Sequence, residues 1–470
     1  MPEPLWTSAE IVAATGGRLV GEAFAATGVA IDSRALVAGD LFVALPAERD
    51  GHDFVGAARA AGAAGALATR DVGAPCIVVD DTLAALGRLG EAARRRAPAC
   101  ARGAVTGSVG KTSVTQLVRA GLELAAQAGQ GAAHGSIRSF NNHIGVPLTL
   151  ARMPRDSRRA IFEIGMNHAG EIAPLTRLVA PRAAAITNVE AVHVENFADG
   201  ETGVMRAKAE IFEGLEPKGI AILNGDSRWF EDLKRIALDQ GARVRVFGRA
   251  EGADAHLTGF STTDAGAAVE AWIDGERAAF SIRQSAAHWG PMSLCALLMM
   301  RALDVDLGMG LAALAAFEPL SGRGAERAVD LSGGRLTIID ESYNASPVSM
   351  RAALKALGAR KVGGRRIAAL TDMLELGPES PDRHAELARV IEAANIDRVF
   401  CAGPLMEALW DALPPARRGG WAPAAADLAP ALATAVLPGD GIMAKGSHAS
   451  NARAFIDALI ALGAPETHAP

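Results

Sequence analysis

Residues 105–114 read VTGSVGKTSV. Ala104, Val105 and Thr106 have the character of a buried strand end. From Thr112 onward, Val114, Leu117, Val118 and Leu122 recur at helical spacing. Strand, tight turn and helix start thus follow one another without a break. Gly107 and Gly110 let the backbone turn with its N–H groups pointing inward, where a helix N-terminus holds phosphate oxygens. In such a loop Lys111 reaches the β/γ-phosphates of a nucleotide and the Thr112 hydroxyl is placed for Mg²⁺. The full G-x-x-x-x-G-K-[ST] pattern would put a glycine at position 105, where Val105 stands. An ordinary strand–helix turn with a surface lysine would carry no such requirement on its flanks.

At 470 residues the chain is too long for one core, and length predicts about three domains. Half of it is hydrophobic but only 4% is aromatic, and it is rich in alanine and glycine. That composition suits an α/β protein whose helices lie close on its sheets. A net charge of −6 argues against a nucleic-acid partner. Cys76, Cys100, Cys295 and Cys401 are far apart and form neither a zinc pattern nor a disulfide framework, which fits a reducing cytoplasm. No signal segment opens the chain, and no run of about 18 apolar residues predicts a membrane span.

Residues 1–100 alternate short strands and helices, as in GVAIDSR, DLFVAL and CIVVDD. The basic segment ARRRAPACARG (93–103) reads as a linker whose arginines end a solvated helix. Residues 101–315 alternate strand-like runs (GAVTG, AIFEIG, AAAITNV, GIAILNGD) with helical ones, the βαβ pattern of a mostly parallel sheet. Within them, 242–283 reads as added antiparallel strands. Residues 316–470 carry four strand ends, LTIIDESY, RIAALTDM, RVFCAG and GDGIMAKGS, which predict a second doubly wound, Rossmann-like sheet. Ligands of such sheets sit at the C-terminal strand ends.

The polar residues gather at those ends. Glu163 closes AIFEIG and is a candidate second ligand for nucleotide-bound Mg²⁺; a helix-capping or ion-paired glutamate is the alternative. Thr187 and Asn188 end the next strand, with His193 five residues on and Lys208 in RAKAEIF. Amphipathic helices produce surface lysines freely, so position alone gives Lys208 no role. Arg323 lies in a glycine-rich turn from which a guanidinium can reach phosphates. Asp340, Tyr343 (the only tyrosine) and Asn344 lie in IIDESYNASP, which also reads as a polar loop with a helix cap before Pro347.

Taken in order, the chain resembles the Mur ligase family. The resemblance spans IDSR (31–34), GDLFVAL (39–45), DGHDF (50–54), TGSVGKTS (106–113), FNNHIGVPLTL (140–150), FEIGMNHAGEI (162–172), ITNV (186–189), KAEIF (208–212), SGRG (321–324), IDESYNASP (339–347), DMLELG (372–377) and KGS (445–447). The family's phosphate loop is T-G-[ST]-x-G-K-[ST], so Val105 is a buried strand residue before a shorter turn.

The resemblance implies an N-terminal domain (1–100) for the UDP end of the substrate, a central ATPase domain (101–315) and a C-terminal domain (316–470) that closes on the nucleotide. DGHDF, DESYNASP and DMLELG point to the branch that joins D-alanyl-D-alanine to UDP-N-acetylmuramoyl-tripeptide in peptidoglycan precursor synthesis, a cytoplasmic, ATP-dependent step of cell-wall biogenesis. It further implies that Thr106, Gly107, Ser108, Val109, Gly110, Lys111, Thr112, Ser113, Arg323 and Asp340 meet ATP. Thr112, Glu163, His193 and Lys208 (as a carbamate) would hold Mg²⁺. Ser33, Arg34, Gly51, His52, Asn141, Asn142, Asn344, Ala345 and Ser346 would meet the substrates, and a monomer is expected. The family's histidine-then-asparagine near the adenine is incomplete, since His288 is followed by WGPMS, so no adenine residue is assigned. Another amide ligase of the superfamily, a P-loop switch or motor, and a non-catalytic UDP-sugar binder are the competing readings. The amine acceptor separates the first, and a carboxylate-dependent ATP turnover separates the others.

Overall fold

The computed structural model describes residues 4–73, 75–137, 139–190, 194–263 and 266–463. They form two compact units. One gathers Met1–Val189, Met205–Ala255 and Ser293–Leu314; the other gathers Glu190–Val204, His256–Met292 and Ala315–Pro470.

The first unit contains six parallel strands in the spatial order Arg243–Gly248, Ile220–Asn224, Ala183–Ile186, Ala101–Thr106, Ser157–Glu163 and Ala132–Gly135. Ala101–Thr106, the strand that feeds the phosphate loop, lies in the middle and is buried throughout. Its small residues are a packing requirement: a Cβ on Gly103 would come 2.7 Å from Met299 Sδ and 2.8 Å from Ile161 Cδ1. Register decides what meets the loop. Glu163 is level with Val105, and Ile186 with Thr106, so three strands finish on one line. The helix Lys111–Gln127 then buries Val114, Leu117, Val118 and Leu122, the positions its spacing predicts.

A five-stranded sheet precedes them, ordered Arg18–Val20, Cys76–Val78, Gly65–Ala68, Asp40–Val43 and Gly28–Ala30, with only the first pair antiparallel. Asp81 caps its helix Thr82–Arg96 by accepting from Leu83 N and Ala84 N. Trp6, Leu41, Leu67, Ile77, Leu86 and Leu89 form the core beneath, together with Leu148 and Ala151 of Gly145–Ala151. Each such aliphatic side chain contributes about 1.5–3 kcal/mol on burial. Trp6 Nε1 also donates to Ala151 O at 2.8 Å.

Two expectations change here. The 93–103 arginines are not simply a solvated end. Arg96 stacks 3.7 Å over the Trp6 ring and donates to Leu5 O and Met153 O, and its burial lowers its pKa to about 10. Arg102 is buried within the strand and pairs with Glu216 at 2.6 Å. A linker reading missed them because a guanidinium can satisfy its donors on strand and helix-end carbonyls. Second, ARVRVFG is not an antiparallel strand: Arg243–Gly248 runs parallel to Ile220–Asn224. The helix Phe230–Asp239 between them makes the crossover that a parallel pair needs.

The second unit holds a six-stranded sheet ordered Ala325–Leu331, Gly334–Glu341, Gly441–Lys445, Arg366–Thr371, Arg398–Ala402 and Arg418–Ala422. Only the first strand is antiparallel. Alternation sends Ile367, Ala369, Ile442 and Ala444 to one core, and Ala368, Leu370 and Met443 to the other. Helices cover both faces. The outermost strands at either edge, Ala325–Leu331 and Arg418–Ala422, add to the four strand ends expected. Gly266–Ile273 and Glu276–Ile282 form an antiparallel hairpin whose Asp274-Gly275 turn has both residues at positive φ. Among the described residues no helix is long and apolar enough to cross a membrane.

Candidate active site

The 107–110 loop, the candidate phosphate loop, is held from the adjacent strand. Ser108 N donates to Asn188 O at 3.0 Å and Val109 N to Asn188 Oδ1 at 2.9 Å, while Thr187 Oγ1 donates to Val109 O at 2.6 Å. Gly107 (φ +149°) and Gly110 (φ +85°) make the turn. A Cβ on Gly107 would lie 1.9 Å from Thr187 Oγ1, so any side chain here forces Thr187 to shift. Gly110 ends the loop as an N-cap with no side-chain cap bond. As an N-cap without a side chain, Gly110 leaves room at the first turn of Lys111–Gln127, a geometry suited to anion binding at a helix start. Lys111 Nζ donates to Gly107 O at 2.7 Å, which folds the ammonium over the loop.

Behind the loop, Thr112 Oγ1 donates to Glu163 Oε2 at 2.7 Å, and both residues are buried. Asn141 Nδ2 donates to Glu163 Oε1 at 2.7 Å, and Glu163 N donates to Ser136 Oγ at 3.1 Å. Among the described residues the expected carboxylate is neither a helix cap nor part of an ion pair; it faces the loop hydroxyl. Asn142 points elsewhere, accepting from Ile144 N and Gly145 N at the start of Gly145–Ala151.

Lys208 is 3% exposed, near the end of the helix Glu201–Ala209. It is no surface lysine. Burial drives its pKa well down, and the Lys111 ammonium pushes the same way. No carboxylate pairs with it among the described residues. His193 lies outside the described residues.

In the five-stranded sheet's loops, Arg34 makes a two-point contact with Asp32, whose carboxyl is held down to about 2 by that guanidinium. Ser33 lies between them in sequence. Gly51 sits where a Cβ would come 2.6 Å from Leu45 N and O. His52 is buried, with Nδ1 donating to Asp50 Oδ1 at 2.5 Å and Nε2 accepting from Thr69 N at 2.9 Å. Both of its ring nitrogens are therefore committed within the chain.

The second unit carries the remaining candidates. Asp340 is buried and accepts from Ser321 Oγ, Ser342 N, Ser342 Oγ and Arg453 Nη1. Arg323 stacks 4.0 Å over Tyr343, and Tyr343 lies 5.4 Å from the His448 ring. Ser346 N-caps Pro347–Ala359, accepting from Ser349 N, and Ala345 packs in the core beneath. Sequence reasoning gave no role to Lys445, which ends the central strand Gly441–Lys445. It is buried, and its Nζ donates to Asn344 O at 2.9 Å and to Glu341 Oε2 at 3.2 Å. Asn188 was passed over in the same way. The signal for both was a polar residue closing an apolar run.

A Mur ligase middle domain profile matches residues 105–300, and a Mur ligase, glutamate ligase domain profile matches 327–448. The chain belongs to the Mur ligase family. This Mur ligase is 34% identical over 408 residues to the UDP-N-acetylmuramoyl-tripeptide–D-alanyl-D-alanine ligase of Escherichia coli K12, covering 86% of this chain and 87% of that protein. It is 36% identical over 387 residues to the protein of the same name from Bacillus subtilis 168, covering 80% of each. The crystal structure of MurF from Acinetobacter baumannii superposes with a TM-score of 0.84 at 25% identity, over 98% of this chain and 99% of that one. The three-domain Mur ligase architecture is therefore that of this Mur ligase.

Proposed function

We propose that this chain is an ATP-dependent, ADP-forming ligase that joins D-alanyl-D-alanine to UDP-N-acetylmuramoyl-tripeptide. The observation that carries the reading is the buried Thr112–Glu163 pair behind an uncapped phosphate-loop helix, in a chain similar over at least 80% of its length to ligases of that name.

A carboxylate is a poor acyl donor, because oxide is a poor leaving group. Transfer of the ATP γ-phosphoryl group to the tripeptide carboxylate forms an acyl phosphate and releases ADP. The free amine of D-alanyl-D-alanine then attacks the carbonyl carbon through a tetrahedral intermediate. The C–N bond forms, the C–O bond to phosphate breaks, and the amine loses a proton. The first step brings two anions together, so it needs positive charge. Lys111 and the first-turn N–H groups of the helix start supply it. Asn141, already on the Glu163 carboxylate, would orient the reacting carboxylate.

The donor set also fits Mg²⁺, a hard cation that takes oxygen ligands. Thr112 and Glu163 present a hydroxyl and a carboxylate 2.7 Å apart. Among the described residues no three His, Cys, Asp or Glu side chains gather at a metal site; water, phosphate and a modified Lys208 would supply the further ligands. A neutral lysine amine reacts with CO₂ to give a carbamate, and burial beside Lys111 favours the neutral form. Mg²⁺ held there would neutralise phosphate charge. The working unit is read as a monomer, testable by sedimentation.

Phosphate release is the direct test. Turnover should require ATP, the UDP-tripeptide and D-alanyl-D-alanine together. Rapid ATP hydrolysis by the protein alone would sink the ligase reading, and a preference for a different amine would move it to a sister ligase.

A further inference from the structure

We propose that His384 is a positioning residue for the amine acceptor, acting through the 372–374 loop; this rests on the ligase reading above. His384 is fully buried in Ser380–Ala385. Its Nδ1 lies 2.6 Å from Ser380 O, and its Nε2 lies 2.9 Å from Met373 N. A carbonyl only accepts and a backbone N–H only donates. The imidazole is therefore neutral, with its proton on Nδ1 and its lone pair on Met373. Burial lowers its proton affinity, and Asp372 is the titratable neighbour whose charge opposes that.

Met373 lies just past the end of the strand Arg366–Thr371, at the C-terminal edge of the sheet. The residues around it are tied to the neighbouring strand end. Asp372 O accepts from Ser447 N at 3.0 Å and from Ser450 Oγ at 3.2 Å, and Leu374 N donates to Ser447 Oγ at 3.0 Å. Asp372 Oδ1 accepts from Met406 N at 2.9 Å on the other side. Beyond them Glu375 takes a positive φ of 62°, a costly conformation for a residue with a Cβ. Leu374 is left 36% exposed on the rim.

Ser447 is two residues past Lys445, whose Nζ holds Asn344 O. A continuous path thus runs from His384 through Met373, Leu374 and Ser447 to Lys445 and the Asn344 loop. That loop is where the resemblance puts the dipeptide. Without the His384 acceptor, Met373 N–H would be a buried, unpaired donor, and the loop would shift to satisfy it. Ser447, and with it the acceptor loop, would lose one of its ties to the 372–374 segment.

Two variants of the full-length protein separate this from a plain packing role. In His384→Asn the side chain still reaches Ser380 O, but nothing accepts from Met373. In His384→Gln the amide oxygen reaches the Nε2 position and keeps that bond. His384→Asn should raise KM for D-alanyl-D-alanine about tenfold, the effect of about one buried hydrogen bond. Its kcat and its KM for ATP and the UDP-tripeptide should stay within about twofold. His384→Gln should stay close to wild type on all of them. Amide exchange of the 372–377 segment should speed up in Asn and not in Gln. Equal losses in both variants, a loss spread over all substrates, or faster exchange with unchanged dipeptide KM would overturn the proposal alone. Wild-type turnover that ignores the dipeptide would overturn the ligase reading, and this proposal with it.

Discussion

The Thr112 hydroxyl donates to the Glu163 carboxylate at 2.7 Å, across 51 residues of sequence. Two parallel strands that finish level bring them together, and the helix start aims the hydroxyl. Glu163→Gln keeps the shape and lets Thr112 and Asn141 find amide partners, but it removes the negative charge. Turnover should fall at least about 100-fold with little change in Tm. Phosphate release over a Mg²⁺ titration checks this. Near wild-type rates would take Glu163 out of the metal site.

In its proposed carbamate role Lys208 would pit stability against activity. Its folded pKa lies below that of the unfolded chain, because burial and Lys111 disfavour its charge. With Lys208 unmodified, the unfolded chain therefore holds the extra proton, and stability should rise with pH from the depressed pKa up to about 10.5. Lys208→Met should flatten that rise and raise Tm near neutral pH, yet abolish ligation. Lys208→Ala should regain some activity with acetate. Urea melts across pH and ¹³C-bicarbonate NMR are the measurements, and a Lys208→Ala enzyme with normal turnover would assign the residue to packing alone.

Gly107→Ala tests the loop. The new Cβ would strike Thr187 Oγ1, and φ of +149° is poorly accessible to alanine. We expect a stability loss of at least about 1–3 kcal/mol and nucleotide affinity at least tenfold weaker. Denaturant melts and fluorescent-nucleotide titration would show both. Unchanged affinity would mean that the loop does not hold phosphate.

His134 predicts acid sensitivity away from the site. Its Nε2 donates to Thr149 O at 2.7 Å, and burial lowers its pKa from 6.5 to about 4. The unfolded chain takes up the proton first. Stability should therefore fall as pH drops through 6.5 and level off near 4, by at most about 3 kcal/mol from this group. His134→Gln should remove that part of the slope in urea melts at pH 7 and pH 4.5. An unchanged slope would place the acid sensitivity in other groups.

Much of this was legible along the chain. Local rules place a strand, two special glycines and an amphipathic helix at 101–127, and they hold residue by residue. The strand Ala132–Gly135 went unread because AAHG has neither alternation nor β-branched residues; the sheet edge beside Ser157–Glu163 makes it a strand. ARVRVFG was misread in direction, since a strand's periodicity is the same whichever way its partner runs.

By itself the sequence determined the strand, glycine turn and helix of 101–127, the family, and a carboxylate at a strand end beside that turn. Those depend on backbone preferences and on order along the chain, which are local. Tertiary structure decided which polar residue each strand end faces. Lys208 looked like any helix lysine until packing took it out of water beside Lys111. Asn188 and Lys445 acquired partners only when neighbouring strands finished level with theirs. Burial and register are relations between distant segments, so charge state and hydrogen-bond partner could not be read from any one of them.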